Sequence, residues 1–136
     1  MTVKRNVIIV LGSSMVASAF SLSIGGYLLY ANSLVPPQLT ALTAAAVVVA
    51  LTLSYFVFHE NTTAINVGTI LGFAAIAFSA SSSAHDKALA EFGGNPLITT
   101  LDLLQVFGFY VFPALYIVVR LVYYRAGPAP GNTEHV

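Results

Sequence analysis

The chain has no cysteine and no tryptophan, and its 136 residues include only five basic and five acidic ones. Without cysteine there is no disulfide, no thiolate metal site and no Cys nucleophile. With charged residues at 7%, against about one quarter in an ordinary soluble domain, the chain cannot clothe a water-facing surface in the usual way. Its formal net charge of zero removes any compositional argument for direct nucleic-acid binding. Between Arg5 and Glu60 there is no Asp, Glu, Lys or Arg at all. That gap far exceeds the roughly 7–15 apolar residues of a signal-peptide core. It has room for two membrane spans of about 20 residues each.

What fills the chain is apolar: 57% of residues are hydrophobic and the mean hydropathy is +0.85. The apolar runs are long and continuous and lack the period-2 alternation of membrane strands. The expected fold is therefore all-α, a single domain over residues 1–136 with four hydrophobic helices in two hairpins, packed as a membrane-type bundle. The first helix is expected at about 6–31 and the second at 38–58, separated by "NSLVPPQ", where Pro36 and Pro37 stop one helix and turn the chain. The third is expected at 64–92, opening after the capping residues of "HENTT" and closing at Gly93-Gly94. The fourth is expected at 100–125, with Thr99 or Thr100 as cap, Asp102 in a first turn favourable to an acid, and a kink at Pro113. The tail 126–136, "AGPAPGNTEHV", reads as loop.

Four spans place both termini and the loop at 59–63 on one side. That side holds Lys4, Arg5, Arg120 and Arg125, and the other only Lys87, so the termini are expected in the cytoplasm. Tyr27 and Tyr30 fall at one interface, and Tyr55, Tyr123 and Tyr124 at the other, as an aromatic belt requires. A weak similarity at an offset of 60, pairing Leu11-Gly12 with Leu71-Gly72 and Ser21 with Ser81, fits chance in an Ala- and Ser-rich chain better than duplication.

Small residues recur at helical spacing. Ser14, Ser18, Ser21 and Gly25 share one face of the first helix; Gly68, Gly72, Ala75, Ser79 and Ser82 share one face of the third. The second offers Thr40, Ala44, Val47 and Ser54. Because lipid is as apolar as leucine, helices in a bilayer associate where small residues let backbones approach. These stripes are therefore expected to be packing surfaces, within the chain and between copies of it. The serines can bond back to the carbonyl four residues earlier.

Residues with catalytic potential are few. Ser83, His85 and Asp86 have the residue types of a hydrolase, but positions two apart on a helix do not face each other, so no catalytic set is expected. His59 and His85 lie at opposite ends of the spans, about 30 Å apart, and with His135 they form no metal or haem site. The only basic residue near the interior is Arg120, within reach of the interface by snorkelling. Asn61-Thr62-Thr63 matches a glycosylation sequon but lies in a tight loop on the cytoplasmic side. No cofactor, no metal and no enzymatic activity are expected.

Size, four apolar helices and the absence of cysteine resemble the very hydrophobic major capsid proteins of spindle-shaped archaeal viruses. The resemblance is one of pattern over the whole chain, without a shared motif, and it transfers no functional residue. It implies a subunit that enters the host membrane and then assembles with its own copies into a virion wall. A wall against a genome usually presents basic residues. Here five Lys/Arg are balanced by five acids, so packaging would be indirect, through other basic molecules. Two other classes fit the composition: an accessory subunit of a larger, respiratory-type membrane complex, and a small channel or transporter.

Overall fold

The structure is a computed structural model and describes residues 2–124, with side chains from Lys4 onward. Among these residues there is no strand. The helices are α1 (Thr2–Ala31), α2 (Pro37–Phe58), α3 (Thr62–Ala80), α4 (Ser83–Ala90), α5 (Pro96–Gln105) and α6 (Phe112–Val122), and a π-helical segment at Val106–Val111 joins α5 to α6. Four stretches are long and apolar enough to cross a membrane: Lys4–Ala31, Pro37–Phe58, Thr62–Ala80 and Pro96–Val122.

Helix limits depart most from the sequence expectation in two places. The third segment does not run unbroken to residue 92, because α3 stops at Ala80 and the chain bends at Ser81-Ser82 before the short polar α4. A run of serines offers the backbone competing hydrogen bonds, and Ser81 Oγ donates to the Phe78 carbonyl at 3.0 Å. The fourth segment begins at Pro96, not at residue 100. Asn95 caps it, its side-chain oxygen accepting from the amides of Leu97 at 2.8 Å and Ile98 at 3.4 Å. Pro96 occupies the first helical position, where its missing N–H costs nothing. Asp102 is consequently the seventh residue of its helix rather than a first-turn acid. Arg125, the tail and His135 lie outside the described residues.

The expected kink at Pro113 takes the form of the π segment. The Phe112 amide bonds to the Phe107 carbonyl, five residues back. The next bond in that pattern would come from residue 113, which as proline has no N–H. The Gly108 carbonyl is thus left free, and Ser18 of α1 donates to it at 2.6 Å.

Both long turns end in left-handed residues that are not glycine. Ser33 has φ 54° and Glu60 φ 58°. The amides of Ser33 and Leu34 bond to the carbonyls of Tyr30 and Leu29, and those of Glu60 and Asn61 to Val57 and Phe56. These are paired Schellman bonds.

α1 is the central element, in contact with α2, α5, the π segment and α6, while α3 lies on the other side of α6. At one end all four spans converge. Val7, Ile8, Leu11 and Met15 of α1 meet Val57 of α2, Ala64 and Ile65 of α3, and Tyr116 and Val119 of α6. Lys4 and Glu60 close that end with a 2.8 Å salt bridge. Toward the other end α2 leans on α1 alone, and of its 22 residues only Ser54 and Val57 are buried.

Candidate functional site

The small-residue stripes of α1 and α3 are occupied within the chain. Gly68 lies under the Tyr116 ring, and a Cβ at Gly72 would stand 3.2 Å from Ile117 Cγ1 and 3.5 Å from the Pro113 carbonyl. Tyr116 can therefore reach across and donate its hydroxyl to the Ile65 carbonyl at 3.0 Å. On α1, Ser14 and Ser21 bond back to Val10 and Ala17 at 2.7 and 3.0 Å. Gly25 faces Leu104 of α5, and Gly108 faces Ser21 and Leu22. Ser14, Ser21, Gly68, Gly72 and Ser79 are buried, and Ser18, Gly25, Ala75 and Ser82 half-buried. Bulk at Gly72 or Ser79 would accordingly strike the fold of one chain before it touched any contact between copies.

α2 differs. Ala41, Ala45, Val48 and Thr52 share a face at helical spacing and are all exposed. Beside them a groove of about 300 Å³ runs between α1 and α2, lined by Ser23, Gly26, Tyr27, Thr40, Thr43 and Ala44 among others. The Thr40 hydroxyl has no hydrogen-bond partner.

A polar cluster forms where α3, α4 and α5 meet. Ser79 Oγ lies 2.9 Å from His85 Nδ1 and accepts from Gln105 Nε2 at 3.3 Å. Ser79 is fully buried and Gln105 nearly so. The His85 ring is half-buried between Phe78 and Phe109, at 6.3 and 5.4 Å between centroids. Its pKa is lowered from 6.5, chiefly because burial disfavours the cation; the Ser79 bond and the nearby Asp86 oppose that effect. One turn before Gln105, Asp102 is completely buried, and neither carboxylate oxygen has a partner. The partner of His85 is thus Ser79, assigned from sequence to a packing stripe. Ser83 and Asp86 are exposed. Ser79 Oγ is enclosed and orients the imidazole. Reading Asp102 as a first-turn acid hid it; the signal that could have found it was Asn95-Pro96, a capping residue followed by a first-position proline.

At the opposite end Arg120 does not simply reach outward. It donates to Asn66 Oδ1 at 2.7 Å and to the Tyr124 carbonyl at 3.2 Å, with its guanidinium 4.8 Å above the Tyr124 ring. His59 Nδ1 lies 2.8 Å from the Tyr55 carbonyl at the end of α2. Among the described residues no three His, Asp or Glu side chains group as metal ligands. No protein-family model matches the chain, and no curated protein or solved structure is similar to it.

Proposed function

We propose that the protein is a non-catalytic, membrane-integral helical subunit that associates with copies of itself through α2. One observation carries this reading. The seams of α1 and α3 are filled inside the chain, whereas α2 turns a face of Ala41, Ala45, Val48 and Thr52 outward. A helix that only faces lipid gains from large apolar side chains; small ones are useful where another helix must come close. The N-terminal half of α2, packed against α1 alone, is the side of an unfinished bundle.

In its finer form the subunit is one component of a shell or filament, such as a virion wall, inserted in the host membrane with both termini cytoplasmic before assembly. Lys4, Arg5, Arg120 and Arg125 on one side support that orientation. Any role in genome packaging would then be indirect. Electron microscopy of the native material tests the reading, alongside an Ala41→Leu/Ala45→Leu variant. Filaments, shells or rings of one chain are expected from the wild type, and dispersed particles with unchanged helicity from the variant. Equimolar recovery with chains bearing haem or flavin would replace this reading with that of an accessory subunit.

A further inference from the structure

One group in the α4–α5 cluster is left unexplained by any contact among the described residues. Asp102 has no accessible surface and no hydrogen-bond partner on either oxygen. It lies about six residues into α5, hence about 9 Å along the axis from Pro96. α5 packs against α1, α4 and the π segment. The ionisable groups these elements bring to this end are Tyr27 and Tyr30 on α1, Tyr110 on the π segment, and His85, Asp86 and Lys87 on α4, with Glu91 just beyond. Among the described residues none forms a salt bridge with Asp102. An ionised carboxylate in such a place is strongly disfavoured, and ionisable groups kept inside a membrane bundle usually serve a function. Only a cation can neutralise it, and among the described residues no three His, Asp or Glu side chains group there as metal ligands, so the simplest such cation is a proton.

We propose that Asp102 is a proton-binding site, a buried carboxylic acid that holds its proton at neutral pH. Gln105 follows Asp102 by three positions and so continues its face of α5. Gln105 is engaged elsewhere, donating to Ser79 at 3.3 Å while Ser79 lies 2.9 Å from His85, so the carboxyl is left without a partner. The structural-subunit reading does not depend on this site and survives its failure.

The test uses the full chain in phosphatidylcholine vesicles and dicyclohexylcarbodiimide, an apolar reagent that adds to protonated carboxyl groups. Mass mapping at neutral pH should find the label on Asp102 and not on Glu60, Asp86 or Glu91. Labelling should decline as pH is raised, should be lost in Asp102→Asn, and should be indifferent to added sodium or lithium chloride. Infrared spectroscopy of the wild type should show a protonated-acid carbonyl band at neutral pH, which needs no variant to fold. Absence of both label and band would overturn the site, as would protection by sodium or lithium, which would make it a metal-cation site.

Discussion

Several single residues here are held by bonds that their type alone does not reveal. Ser18 is one of many small residues in α1, yet it supplies the hydrogen bond that Pro113 denies to the Gly108 carbonyl. Ser18→Ala should cost about 1–3 kcal/mol, the usual penalty for leaving a buried polar group unpaired. Pro113→Ala gives residue 113 an N–H and lets Gly108 be satisfied without Ser18. The double variant should therefore lose less than the sum of the two single losses, as read from denaturant unfolding in micelles. His85 makes a prediction with a sign. Its folded pKa lies below the unfolded value of 6.5, so the unfolded chain binds the proton more readily. The stability this neutral ring contributes is complete above about pH 6.5 and is lost as pH falls toward the folded pKa. Between pH 7 and pH 5 the thermal midpoint of the wild type in micelles should fall relative to that of His85→Gln, a difference to which Asp102, present in both, does not contribute. An equal slope in the variant would show that another group titrates.

At the scale of elements, the apolar runs announced four spans because their length leaves no other use for them. Their ends were harder to read where the governing residue is unusual. Asn61 was visible within "HENTT", and it caps α3 by accepting from the Ala64 amide at 2.9 Å. The two Schellman turns were not legible, because Ser33 and Glu60 stand where glycine normally signals them. A left-handed conformation costs a residue with a Cβ about 1–2 kcal/mol. Ser33→Gly should thus raise stability by up to about 1 kcal/mol, net of the greater chain entropy of glycine. Glu60→Gly should gain less, since it also removes the Lys4 salt bridge, an exposed pair of modest worth. The π segment was anticipated only as a bend at Pro113. Its consequence, a freed carbonyl recruited by another helix, depends on the distant Ser18 and could not be read from local sequence.

For the whole molecule, composition and periodicity sufficed for an all-helical chain with four membrane-type helices, because those properties depend on local pattern. Which stripe meets which partner does not. The stripes of α1 and α3 were legible as contact surfaces, but whether they face another helix of the same chain or another copy is settled by tertiary arrangement. The structure assigns them to the chain itself. It also brings Ser79, His85, Asp102 and Gln105 to one end of the bundle, a grouping of residues up to 26 positions apart that no motif announces. Among the outward faces is the small-residue face of α2, Ala41, Ala45, Val48 and Thr52. The absence of cysteine makes this directly testable, since any introduced thiol reports on its own position alone. The decisive measurement is oxidative cross-linking in native membranes of chains carrying either Ala45→Cys on α2 or Ser14→Cys on α1. Disulfide-linked dimers at Ala45→Cys and none at Ser14→Cys are the predicted result; dimers at Ser14→Cys with none at Ala45→Cys would contradict it.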